Sequence, residues 1–311
     1  MNYKLIPFIY PILIDDFLEQ CGVKYVHMTD HILFLYGHCY IASLDNAKCG
    51  SLSFCYNCDN IVERVYNSKA SAVMVDICNA NKMKIKEDQC LIFVDNVKLR
   101  FVQMMIATTY CPRPEYLYHD DISVGGFIGP NVAIEKGVKI GNNVNIIGNN
   151  YIYDGTEIGD NVTIKPGTVI GGQGFGHVLD GDKYILFPQI GRVIIEDDVR
   201  IGANNTIDKG AIGDTIIKSG CRTDNCVHIA HNVVLEENCL ITAGVIFSGS
   251  VFVGRNSHLG PSTSVMQGIQ IGEKICSGIG SCIVRNVRDN ALVYGVPSKD
   301  HGDVSKEMLE G

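Results

Sequence analysis

Three observations in the sequence predict a mostly β chain, wound as a parallel prism behind a small α/β domain. From residue 128 an aliphatic side chain recurs every six positions (Ile128, Ile134, Ile140, Ile146, Ile152, Ile158, Ile164, Ile170), and the register resumes at Ile195, Ile201 and Ile207. Gly, Asp or Asn often follows, as in Ile140-Gly141-Asn142-Asn143 and Ile158-Gly159-Asp160-Asn161; these residues tolerate the left-handed backbone of sharp corners. Charged residues make up only 19% of the 311 positions while Gly numbers 33, a turn-rich composition.

A period of six is neither helical nor simple strand alternation. Each hexapeptide supplies a short strand and a corner, and three close a coil of about eighteen residues with the aliphatic side chain inward. After a four-residue slip the pattern continues through Ile217, Thr223, Ile229, Leu235, Ile241, Phe247, Val253, Leu259, Val265, Ile271, Ser277 and Ile283. Gly171 to Arg192 interrupts it as a loop thrown out from one corner, and long loops of this kind are usually functional. Residues 1–112 lack the period. They carry strand-like Ile32 to Tyr36 and Cys90 to Val94 and helix-like Ile12 to Gln20 and Val62 to Asn67, with Pro112 and Pro114 marking a linker. The expected organisation is an α/β domain over 1–112, the prism over 113–299, and a Lys/Glu/Asp-rich tail over 300–311, frayed or briefly helical.

The net charge of −8 offers no basic footprint for nucleic acid and suits anionic membranes poorly. The apolar run Leu5 to Ile14 is too short to span a bilayer, and no small-residue cleavage site follows it. A cytoplasmic protein is expected. Thirteen cysteines without a signal peptide predict free thiols. Cys55 and Cys58 form a CxxC with no second pair at zinc spacing, so no metal is expected.

One set of segments is more specific than the period. Thr206-Ile207-Asp208-Lys209-Gly210-Ala211, Asp214-Thr215, Asp224-Asn225 and Ile229-Ala230-His231-Asn232 resemble the UDP-3-O-acylglucosamine N-acyltransferases of lipid A synthesis, within the hexapeptide-repeat acyltransferases. Gly174-Phe175-Gly176, Pro188-Gln189-Ile190-Gly191-Arg192-Val193, Leu44-Asp45-Asn46-Ala47 and Gly50-Ser51-Leu52-Ser53-Phe54 agree. The resemblance implies a left-handed parallel β-helix, a homotrimer with active sites between neighbouring helices, and an N-terminal domain that holds a nucleotide base. It implies Phe54 stacking on the base and Asn57 bonding to it. A second aromatic is usual where this chain has Asn60, which leaves uridine and thymidine both open.

Amide formation needs a neutral amine to attack a thioester and a base to take its proton, and an imidazole is well matched near neutral pH. His231 matches the family's catalytic base. One coil further on lies Gly249, whose uncovered N–H suits an oxyanion donor, the role of the family's glycine amide. Asp224 orients the imidazole or holds the amine. Asn225 joins it in the substrate site, His228 faces the same cleft, and Phe175 and His177 contact sugar.

Two departures bear on the donor. Gly268 stands where the lipid A enzymes usually carry a second His, and only twelve residues follow Gly295-Val296-Pro297-Ser298-Lys299, where they continue as helices. This favours a short acyl-CoA as co-substrate, with no permanently bound cofactor, and a UDP- or dTDP-linked amino sugar for surface polysaccharide as acceptor. The rival is a true lipid A enzyme using 3-hydroxyacyl carrier protein. Two other classes are a metalloenzyme like the γ-type carbonic anhydrases and a non-catalytic solenoid. The former usually place two His five residues apart, whereas His228 and His231 are three apart.

Overall fold

The computed structural model describes residues 40–56, 59–84, 86, 88–110, 115–116 and 125–303, and, nearer the N-terminus, 4–5, 12–13, 18–19, 22, 27–28 and 34–35. Asn57 and Cys58 lie outside the described residues. The chain divides into two compact units. One comprises 1–2, 113–175 and 191–311, the other 3–112 and 176–190. No described helix is long and apolar enough to cross a membrane.

The larger unit is a left-handed parallel β-helix. Its first face begins at Phe127–Ile128, its second at Ala133–Ile134 and its third at Lys139–Ile140. Strands pair in parallel with the next coil on their own face, Ile128 with Ile146, Ile134 with Ile152 and Ile140 with Ile158, an offset of eighteen residues. The inward side chains stack into one continuous core in which Ile152, Ile170, Ile229, Phe247 and Ile283 are wholly buried. Each contributes roughly 1.5–3 kcal/mol, enough to hold strands only two residues long.

The corners show why Asn follows so many aliphatic positions. Asn131, Asn143, Asn149, Asn161, Asn204, Asn232, Asn238 and Asn256 all have φ between 53° and 59°. Asn bears this left-handed conformation at little cost because its short amide bonds locally. Successive amides also bond to each other, from Asn131 to Asn149 at 3.1 Å and from Asn143 to Asn161 at 2.9 Å.

The eighteen-residue offset is broken three times, each time between the second face and the third; the last break shortens it to 16, with Ile271 bridging Val287 and Cys276 pairing with Leu292. Ile158 pairs with Ile195 across an insertion that carries the antiparallel hairpin His177–Asp180/Lys183–Leu186. Ile195 then pairs with Ile217, and Ile207 with Ile229, at an offset of 22, which places the four extra residues between Asp208 and Thr215.

The smaller unit is a five-stranded sheet ordered His27–Met28, Cys90–Val94, Ala72–Asp76, Ser51–Cys55, Tyr40–Ile41, parallel except at its first pair. The helix Ile61–Asn67 covers one side through Val65. The helix Val97–Thr108 covers the other through Phe101.

Two expectations are corrected. Of the helix expected over Ile12 to Gln20, Leu18 and Glu19 are helical, but Ile12–Leu13 pairs antiparallel with Phe34–Leu35; partner strands override local propensity there. The tail does not fray at residue 300. Ser298–Asp303 is a strand antiparallel to Ala291–Gly295, held by Arg288 to Asp300 at 2.7 Å and to Asp303 at 2.8 Å, with His301 stacked on Tyr294.

The interior allows a direct check of the prism. Phe247→Ala is expected to lower unfolding free energy by roughly 3–5 kcal/mol, read as a shift in the urea midpoint.

Candidate active site

His231 stands on the corner between the second and third faces, just after the strand His228–Ile229. One coil on, the strand Ile246–Phe247 leads into Gly249. A Cβ built on Gly249 would lie 2.5 Å from both Cε1 and Nε2 of His231. The imidazole therefore lies directly over the bare Cα, and no other residue type leaves room for it. The corner pattern pairs the N–H of Ser248 with Val265 and that of Ser250 with His231, while the Gly249 N–H records no partner among the described residues. A tautomer-fixed base and an uncovered amide donor thus sit side by side.

The tautomer follows from Asn232. Its Oδ1 accepts the Ala211 N–H at 3.0 Å, and its Nδ2 donates to the Ile212 carbonyl at 3.1 Å. Two backbone groups of opposite polarity fix the amide. His231 Nδ1, 3.1 Å from the same Oδ1, must then be the protonated nitrogen, which leaves a lone pair on Nε2. Both backbone groups belong to the four-residue insertion.

His228 lies on the second face, its Nδ1 2.7 Å from Thr206 Oγ1 and its Nε2 4.0 Å from Asp208 Oδ2. Burial pushes the Asp208 carboxyl up to about 7 and holds the His228 imidazole below its ordinary value. Asp208, Thr206 and Asn232 had been read only as parts of a motif. The slip in the period was the available signal for Asn232.

Within the larger unit, Asp224 and Asn225 share no described bond with His231. Asp224 and Asn225 are exposed on the corner between the first and second faces, next to the strand Arg222–Thr223. No described bond links Asp224 to His231, and the Asn225 amide oxygen instead accepts the Ala203 N–H at 2.8 Å. Within the chain it is Asn232 whose side chain meets the imidazole. Phe175 is 90% exposed in the larger unit. His177, in the smaller unit, meets the edge of Tyr184. Phe54, also there, is half-buried with its ring 4.3 Å from that of Phe101. Gly268 has φ of 75° and open space around it. No described cysteine forms a disulfide, and no three described His, Cys, Asp or Glu converge on a metal-binding geometry.

The bacterial transferase hexapeptide family (six repeats) matches residues 139–172, and the hexapeptide repeat of succinyl-transferase matches residues 192–216. A UDP-3-O-acylglucosamine N-acyltransferase from Cupriavidus pinatubonensis is 30% identical over 281 residues, covering 79% of this chain and 77% of the relative. One from Helicobacter pylori is 34% identical over 241 residues, covering 71% of each. A third, from Methylorubrum populi, is 41% identical over 151 residues, and there the chain spans only 43% of the relative's length. Among solved structures, a UDP-N-acetylglucosamine acyltransferase from Francisella novicida superposes with a TM-score of 0.51 at 23% identity, covering 59% of this chain and 66% of that one. This likeness concerns the fold.

Two outcomes test the geometry. Gly249→Ala is expected to lower kcat by roughly two decades while the thermal midpoint moves little, because the new methyl displaces only an imidazole at the surface. For Asp208, a folded-state pKa of about 7 lies above the unfolded value. Its favourable share of stability is complete below the unfolded pKa and is lost as pH rises through about 7. Asp208→Asn should therefore gain stability over the parent between pH 4 and 8, by at most about 4 kcal/mol in melting curves.

Proposed function

As the chain belongs to the UDP-3-O-acylglucosamine N-acyltransferase family, we propose that it transfers an acyl group from 3-hydroxyacyl carrier protein to the amine of UDP-3-O-acylglucosamine. The shared name of its relatives supports this acceptor over the polysaccharide amino sugar that the sequence favoured. The single observation that carries the chemistry is the His231 ring, with its lone pair on Nε2, lying over Gly249.

In this reading the neutral amine attacks the thioester carbonyl, and Nε2 takes the proton that the new C–N bond acidifies. The Gly249 N–H receives the oxyanion of the tetrahedral intermediate. The intermediate collapses, the C–S bond breaks, and the imidazolium returns its proton to the departing thiolate. Phe54 and Asn57 hold the uracil, and the protein works as a trimer in the cytoplasm.

Purified protein is offered UDP-3-O-acylglucosamine and UDP- and dTDP-linked 2-, 3- and 4-amino sugars, each with 3-hydroxyacyl carrier protein, acetyl-CoA or 3-hydroxybutyryl-CoA, and products are weighed by mass spectrometry. The expected product is the N-acylated UDP-3-O-acylglucosamine formed from carrier protein. Product only with CoA donors or other sugars would reject this assignment. His231→Ala should lose at least about two decades of kcat, and near-parental turnover in that variant would remove the base.

A further inference from the structure

The arginine that ends the longer insertion takes no part in the transfer chemistry, yet it holds the shorter insertion in place. Arg192 stands just before the third-face strand Val193–Ile195, and Asp214 just before the next, Thr215–Ile217. Val193 pairs with Thr215 and Ile216 with Val234, so Arg192, Asp214 and Asn232 occupy one row on successive coils. The Arg192 carbonyl accepts the Gly210 N–H at 3.4 Å and the Thr215 N–H at 2.9 Å, and its own N–H donates to Asp214 Oδ1 at 3.2 Å. Its Nε lies 3.3 Å from both Asp214 oxygens, and its Nη1 donates to Glu157 Oε1 on the coil before. Glu157 is held in turn by Lys139 at 2.7 Å. Gly191 closes the same contact. Its N–H donates to the Gly210 carbonyl at 3.0 Å, and a Cβ built on it would lie 1.9 Å from the Gly213 carbonyl oxygen.

We propose that Arg192 is a positioning residue for the transfer, acting through Asp214 and the segment from Gly210 to Thr215 on Asn232, and so on the tautomer and aim of His231. This rests on the acyl-transfer reading above. The segment holds Asn232 at three points. The Ala211 N–H donates to Oδ1, the Ile212 carbonyl accepts from Nδ2, and Thr215 Oγ1 accepts the Asn232 backbone N–H at 2.9 Å. No described strand lies between Asp208 and Thr215, so sheet pairing does not set the path of this segment. A lone half-exposed ion pair would contribute little to holding it. Here one planar guanidinium spans two carboxylates on different coils, which fixes direction as well as distance. It ties the far end of the insertion to the regular coil that precedes it. If Ala211 and Ile212 drift, the Asn232 amide is free to turn over and present Nδ2 to the imidazole. Nδ1 then becomes the acceptor, the proton moves to Nε2, and the base faces the amine in the wrong tautomer. A misplacement of about 1 Å from a distant change can cost as much as about 10²-fold in rate without touching substrate binding.

The test uses the full-length protein with the donor and acceptor that the screen above identifies. Arg192→Met is expected to lower kcat at least about tenfold while KM for both substrates stays within about twofold. Arg255→Met removes a comparable ion pair, to Glu273 at 2.9 Å on another corner, and should leave kcat within about twofold. In an Asn232→Ala background the Arg192→Met change should cost less than about twofold more, because its effect runs through the amide already removed. A loss in that background equal to the loss in the parent would overturn the proposal. So would a kcat within twofold of the parent in the single variant, or an equal loss in Arg255→Met. If Arg192→Met fails to fold, Asp214→Asn carries the test with the same readouts and outcomes. Failure of the parent to acylate any nucleotide-linked amino sugar would instead remove the acyl-transfer reading, and this role with it.

Discussion

The stacking of residue i over residue i + 18 is the constraint from which the rest follows. Parallel pairing fixes it on all three faces, as in Ile128 over Ile146 and His228 over Ile246. Once it is set, inward and outward are decided for every position. A corner residue has a defined neighbour one coil away, and His231 over Gly249 is one such pair. Both insertions leave the prism between the second face and the third, the corner that carries this pair. The site therefore lies where the repeat is interrupted, because only there does the chain supply groups that a regular coil lacks.

How much of this was legible follows from the range of each interaction. The core was readable because one inward side chain every six residues is a property of the chain itself. The pairing of His231 with Gly249 needed only that period counted three times. The Asn232 clamp was not readable, since its partners Ala211 and Ile212 reach it through the four extra residues, whose path no period specifies. The place of Asp208 was hidden for a similar reason, because it pairs with Gly172 across a break of the register. Asp224 shows what the period does locate. Seven residues carry it to a different corner, and the corner decides what a side chain meets.

Asp208 also shows a local conflict. A largely buried carboxyl without a hydrogen-bond donor is costly in its charged form, which is why burial pushes it up to about 7. His228, 4.0 Å away, is driven the other way by its own burial. Neither group relieves the other at that distance. A fold selected for stability alone would place Asn or Ser here.

The amide behind the base fits the nucleophile. When a hydroxyl attacks a carbonyl, its proton is hard to remove until late, and a carboxylate behind the imidazole would help by stabilising the imidazolium. An amine differs, because its nitrogen becomes cationic as the C–N bond forms and its proton becomes strongly acidic. A neutral imidazole suffices for that transfer. What the site must secure is orientation and the right tautomer. Asn232 provides both through a neutral oxygen that the Ala211 N–H holds in place.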